Sequence, residues 1–225
     1  MDKNLIKKQV LDAFNFRHAC KEFDATKKIS DDDFNFILET GRLSPSSLGL
    51  EPWKFLIIQN EDLRKQLKEV SWGAQGQLPT ASHYVIFLTR NKNELSYNSQ
   101  YVRDMFENVH HMPKEVANAI IEKMEDFQKN DAKVLDSERG IEDWSSKQCY
   151  IAMGNMMTSA AMIGIDSCPI EGYHRDSVEK ILADANLLDK SKFTVACMTA
   201  FGYRKNEPKR AKTRQSMEEI VTFVK

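Results

Sequence analysis

Residues 141–164 are of helical length, and their apolar side chains fall on most sides of the helix they would form. A helix of that kind has no broad face to leave in water, so other elements must close around it. A membrane span is the wrong cover. The most apolar part, Cys149 to Ile165, is broken by Gly154, Asn155, Thr158, Ser159 and Gly164. Met153, Met156, Met157 and Met162 read as core filler of a buried helix.

The covering elements are legible around it. Leu5, Ile6, Val10, Ala13 and Phe14 recur at helical spacing over 3–16. Ser30 followed by Asp31, Asp32 and Asp33 is an N-cap with acids in the first turn, opening a helix to about Arg42 with Phe34, Ile37 and Leu38 on its apolar face. Phe55–Ile58, Tyr84–Leu88 and Phe193–Met198 read as buried strands. A short charged helix fits 61–71, and 94–145 is charged and helical in pattern with Pro113 as a break. The late apolar run Ile220–Val224 reads as a terminal strand that pairs with something distant. Few strands among many helices give an α+β fold, a layered α/β/α domain.

The 225 residues suffice for one domain with a full core, and no repeat or Gly/Pro/Ser-rich linker divides them. With 32 basic against 33 acidic side chains the chain lacks the positive excess of a nucleic-acid binder. Cys20, Cys149, Cys168 and Cys197 have no metal or redox spacing, which suggests free thiols in a reducing compartment. The N-terminus has two acids and no signal-peptide h-region. Together these predict a soluble cytoplasmic protein. The five histidines form no HxH or HExxH and read as surface residues without a metal.

Several short motifs carry chemistry. Arg17 and Lys21 share a face whether their segment is helical or extended, as a solvated pair or an anion site. Pro45-Ser46-Ser47 offers hydroxyl and backbone donors, or turn chemistry alone. Trp72-Gly73-Ala74-Gln75-Gly76-Gln77 pairs glycines with two amides that suit a heterocycle edge, or forms a polar loop. Cys168-Pro169-Ile170-Glu171-Gly172-Tyr173 ends a strand-like run in Pro169, and Gly172 lets a backbone approach something flat. Lys212 and Arg214, two apart on an extended segment, can converge on one anion. There is no GxGxxG and no Walker loop.

These pieces, in this order and along almost the whole chain, resemble the FMN-dependent nitroreductase family. The motifs are Arg17-His18-Ala19-Cys20-Lys21-Glu22-Phe23, then Ser44 to Phe55, then Pro169 to Tyr173, then Gly202-Tyr203, Pro208 and Lys212-Thr213-Arg214. The resemblance implies a nitroreductase-like fold over 1–225, with a central, mostly antiparallel sheet flanked by helices. It implies an intertwined homodimer with FMN at the subunit interface. Residues 100–140 would be the variable active-site cover and 203–225 the arm that embraces the partner.

By the same resemblance, Arg17, Lys212 and Arg214 would hold the FMN phosphate, with His18 and Ala19 in the same motif. Lys21 would sit at the flavin N1/O2 edge. Gln75 would make the amide contact to the ring, with Gln77 as the near alternative. Ser46 and Ser47 would come from the other subunit. Pro169, Ile170, Glu171 and Gly172 would line one face, with the Glu171 backbone N–H directed at N5. Leu48 and the lid aromatic Phe127 would meet substrate. No side chain is required as a conventional acid or base, because the flavin carries the hydride.

Ala19 stands where Ser or Thr is usual, and Glu51 where Gln is common. The implied activity is ping-pong reduction of nitroaromatics, quinones or similar acceptors by NADPH or NADH. Flavin or dihydropteridine reduction on the same scaffold, a specialised reaction such as dehalogenation, a non-catalytic flavin-binding sensor, and a cofactor-free structural partner protein are the alternatives.

Overall fold

The structure is a computed structural model, and it describes residues 2–225. Asp2 caps α1 (Lys3–Phe16) by accepting from the Asn4 N–H at 2.9 Å. Ser30 caps α2 (Asp31–Arg42) by accepting from the Asp33 N–H at 3.1 Å. Then follow β1 (Trp53–Ile57), α3 (Glu61–Glu69), α4 (Gln77–Thr80) and β2 (His83–Arg90). Three short helices, α5 (Lys92–Leu95), α6 (Gln100–Asp104) and α7 (Lys114–Asp126), lead to the long α8 (Gly140–Met162). The chain ends through β3 (Asp166–Ile170), α9 (Arg175–Asp184), β4 (Phe193–Gly202) and α10 (Met217–Ile220). Pro113 sits at the N-cap of α7, where its missing N–H costs no helical bond.

The four strands form one antiparallel sheet in the order β1-β2-β4-β3. Period-two alternation along β2 builds two cores at once. Tyr84, Ile86 and Leu88 join a cluster with Leu67, Leu78, Val178 and Leu182. Val85 and Phe87 join the opposite cluster with Phe34, Ile37, Met153 and Met156. α2 and α8 therefore cover one face, and α3, α4 and α9 the other. A third apolar cluster, including Leu95, Val102, Phe106, Met124 and Trp144, holds α5 to α7 against the start of α8. β3 is an edge strand, which tolerates Pro169 because an edge residue can lack a ladder donor. The layered α+β architecture with an antiparallel sheet agrees with the sequence reading.

The expectations for the C-terminal run, α8 and His83 are corrected here. The run Ile220–Val224 forms no strand: Ile220 ends α10, and Phe223 and Val224 are exposed with no strand of this chain beside them. A strand is made by its partner edge, and this run lies beside neither edge strand of its own sheet's ladder, β1 or β3. α8 is buried along Trp144, Cys149, Ala152, Met153, Met156 and Ala160, yet Tyr150, Ile151 and Met162 on it stay exposed. α1 buries only Ala13, leaving Leu5, Leu11 and Phe14 open. His83 is not a surface residue. It stacks on Phe34 with ring centroids 3.8 Å apart, and burial, then the nearby Arg64, push its pKa down to about 4.

All four cysteines are free and buried, and burial raises each thiol. Among the described residues no helix is long and apolar enough to cross a membrane, and no three ligating side chains group to hold a metal.

Candidate functional site

The outer edge of β3 is where the two ends of the sequence meet. Residues 17–23 run alongside it, with a parallel bridge from Ala19 to Ser167 and the Cys20 N–H donating to the Ser167 carbonyl at 3.3 Å. Phe23 bridges Arg204, and the Asp24 N–H donates to the Tyr203 carbonyl at 2.8 Å. Arg204 locks this junction. Its guanidinium pairs with buried Asp166 at 2.8 Å, donates to the Phe16 carbonyl at 3.1 Å and stacks over the Phe16 ring. His18 lies within 3.6 Å of the same carboxylate. Burial, then Arg204, push its pKa down, and its Nδ1 has no hydrogen-bond partner among the described residues.

Against this edge lies a cavity of about 390 Å³ lined by Arg17, His18, Ala19, Ser167, Pro169, Lys212 and Arg214, with Phe14 and Met157 as its apolar wall. Three of its side chains are cations and none is an acid. Among the described residues Arg17, Lys212 and Arg214 form no ion pair. Arg17 donates to Thr158 Oγ1 on α8 at 2.8 Å, and Lys212 donates to the Phe14 carbonyl at the C-terminal end of α1. Burial, then Arg214, lower the pKa of Arg17; burial, then Arg214 and Arg17, lower that of Lys212. Three like charges held together without a counter-charge could hold an anion. Lys212 and Arg214 do converge, although on an irregular segment rather than a strand.

Lys21 does not join them. Arg17 turns to α8, whereas Lys21 Nζ lies 3.9 Å from Cys168 Sγ, on the other face of β3. Residues 17–23 make only isolated bridges, so strand alternation does not align the two cations. Buried Gln77 donates to the same sulfur at 3.3 Å. Gln75 points away and donates to the Lys68 and Ser71 carbonyls at 2.7 and 2.8 Å. The amide beside Lys21 is therefore that of Gln77.

Gly172 is needed for a reason the sequence did not disclose. A Cβ there would lie 2.8 Å from Gly73 Cα, and the Gly73 N–H donates to the Gly172 carbonyl at 2.7 Å. The close approach is to the chain's own backbone. Ile170 is buried at the end of β3 and leads into this turn. The Glu171 side chain accepts from Tyr150 on α8, while its backbone N–H makes no hydrogen bond among the described residues.

The structure does not bring Ser46, Ser47, Leu48 or Phe127 to this cavity. Ser46 Oγ accepts from the Glu51 N–H at 2.8 Å, and the Ser47 N–H donates to Gln148 Oε1 at 2.9 Å. Gln148 is ten residues before Thr158 on α8, about 15 Å along the axis. Leu48 is exposed and sits at φ 56°, a left-handed conformation that costs a branched side chain. Phe127 tilts against Trp144 at 5.6 Å in the third cluster. Thr158, which anchors Arg17, and the Asp166–Arg204 pair escaped the sequence reading. Arg204 directly follows the Gly202-Tyr203 motif, but only the folded chain shows what it locks.

The sequence model described as the Nitroreductase family matches residues 15–203, which includes residues 17–23 and β3 but stops before Arg204, Lys212 and Arg214. A Bacillus subtilis relative named "Putative NAD(P)H nitroreductase YfkO" is 55% identical over 97% of this chain and 99% of its own. The solved structure of ydfN from Bacillus subtilis superposes with a TM-score of 0.78 at 22% identity, covering 97% of this chain and 100% of that one. An Exiguobacterium sibiricum protein solved in complex with FMN gives a TM-score of 0.74 at 21% identity, over 96% and 97% of the two chains. A fold, a cationic edge and a family match that agree over most of the sequence lead to one conclusion: this chain belongs to the Nitroreductase family.

Proposed function

We propose that the protein is an NAD(P)H-dependent oxidoreductase that binds FMN and reduces nitroaromatics, quinones or related electron-poor acceptors. The observation that carries this reading is the acid-free convergence of Arg17, Lys212 and Arg214. A phosphate monoester carries nearly two negative charges, and guanidinium forks answer it with paired hydrogen bonds. The cavity therefore fits the phosphate end of FMN. Ser167 and the Ala19 backbone lie beside it for the ribityl chain.

Lys21 and Gln77 stand at Cys168, where a cation and an amide suit the polar edge of the ring. The Glu171 N–H is the free donor for N5. When bound, FMN supplies the redox chemistry, taking a hydride from the nicotinamide and passing it to the acceptor. The chain holds and orients: the Gly73–Gly172 clamp fixes the turn that carries Glu171, and Arg204 fixes the edge that carries Arg17. No side chain here has to act as acid or base.

Ser46, Ser47, Leu48 and Phe127 would complete the site from a second copy, since one chain keeps them from its own cavity. The exposed apolar faces of α1 and α8 and the open run Ile220–Val224 are surfaces that such a homodimer would cover. Anaerobic addition of NADPH or NADH to the purified protein tests the activity. Loss of the visible flavin absorbance, restored by menadione or a nitrofuran, is expected. A preparation that stays colourless after added FMN and dialysis contradicts the reading.

A further inference from the structure

The loop from Ser71 to Gln77 is fastened on both sides. The Gly73 N–H donates to the Gly172 carbonyl at 2.7 Å, and the His174 N–H donates to the Val70 carbonyl at 2.8 Å. A Cβ on Gly76 would lie 2.2 Å from the Lys21 carbonyl oxygen, so this loop also abuts the segment that carries Lys21. Ser71 and Ala74 are fully buried, Gln77 turns inward to Cys168, and Gln75 folds back onto α3. Trp72 is the one apolar side chain of the loop that turns outward. It is 79% exposed, the most open aromatic of the described residues apart from Phe223 on the C-terminal arm.

Its ring is nevertheless placed. Trp72 Cε2 stands 3.0 Å from where a Gly172 Cβ would be, so the indole lies against the turn that presents the Glu171 N–H. A large apolar side chain left in water on a fixed loop forfeits burial that a smaller residue would not need. Phe223 and Val224 lie on the C-terminal arm, away from any turn of the site, whereas Trp72 sits on a loop fastened to one.

We propose that Trp72 is the aromatic platform on which planar, electron-poor acceptors stack, and so selects the acceptor class. The proposal rests on the flavin reading above, because the turn beside Trp72 matters only if it faces the reactive ring. The electron-rich indole and an electron-poor ring have complementary quadrupoles and favour offset stacking. A small acceptor such as dioxygen has no ring to stack and is indifferent to this residue.

The test uses the FMN-loaded protein and the variants Trp72→Ala and Trp72→Phe, with 4-nitrobenzoate as probe in two experiments. Equilibrium binding of 4-nitrobenzoate by calorimetry, with no electron donor present, is expected to weaken about fivefold in Trp72→Ala and to stay within about twofold in Trp72→Phe. In anaerobic turnover the KM for 4-nitrobenzoate and menadione should rise in step, while reoxidation by dioxygen, flavin content and reduction by NADPH stay unchanged. Unchanged 4-nitrobenzoate affinity in Trp72→Ala overturns the proposal. So does an equal fall in the dioxygen rate, or a loss of dimer, which would make Trp72 a structural contact. If the wild-type protein binds FMN but NADPH or NADH does not reduce it, the oxidoreductase reading fails, while the calorimetry still decides the role of Trp72.

Discussion

Two stretches of α8 hold two groups of residues that one cofactor would need together, and they behave differently. Near its C-terminal end, Thr158 receives Arg17, and Lys212 and Arg214 close around the same cavity. Nearer its N-terminal end, Gln148 receives Ser47, about 15 Å along the axis from Thr158. The first group is assembled by a single chain, because β3, residues 17–23 and Arg204 knit both termini onto one edge. The second group is well folded but faces elsewhere. The difference teaches that one chain assembles the cationic cavity by itself, whereas under the proposed function a second copy would supply the rest.

The largest expected effect comes from breaking the surface that would join two copies. Ile151→Asp places a charge on the exposed apolar side of α8. It should yield a monomer that has lost its flavin, read by sedimentation and by visible absorbance. Its far-ultraviolet circular dichroism should be unchanged, because Ile151 lies outside the cores.

Removing a phosphate cation is the next test. Arg214→Ala should raise the Kd for FMN by about 10- to 100-fold, the weight of charge-assisted hydrogen bonds. Ser47→Ala should raise it by about fivefold or less, because a neutral hydroxyl is the weaker partner. Fluorescence titration with FMN compares the two. Equal effects would erase the distinction drawn between the two ends of α8.

A smaller effect is expected from the clamp. Gly73→Ala sets a Cβ 2.9 Å from Gly172 Cα, where backbone meets backbone and neither can yield easily. The cost should be about 1–3 kcal/mol of stability, read as a lower Tm, with FMN affinity at the phosphate end kept.

The smallest effect on flavin binding lies outside both regions and serves as a control. His83 is held neutral, its pKa lowered from 6.5 to about 4. Its contribution to stability is therefore present above pH 6.5 and lost as pH falls toward 4. Urea midpoints of the wild type should fall through that window more than those of His83→Gln, with FMN affinity affected equally in both.

Much of this was legible in the sequence because it is local. Helix caps such as Ser30 and the apolar strand run Tyr84–Leu88 depend on spacing along the chain. What was not legible depends on contacts between distant segments. Gly172 answers Gly73, a hundred residues away, rather than a flat ligand. Arg17 and Lys21 part company because Thr158 and Cys168 draw them to different faces. Gln77 rather than Gln75 stands by Lys21 because the end of α3 takes the Gln75 amide. Periodicity alone also made α8 look wholly buried, since it cannot say whether an apolar side is covered by the same chain or another.

Sedimentation velocity of the purified protein, followed at the visible flavin band, tests the central claim most directly. A single coloured boundary moving at the rate of a dimer is predicted, with Ile151→Asp giving a colourless monomer. A coloured boundary at the monomer rate would show that one chain completes the site, and would contradict the account.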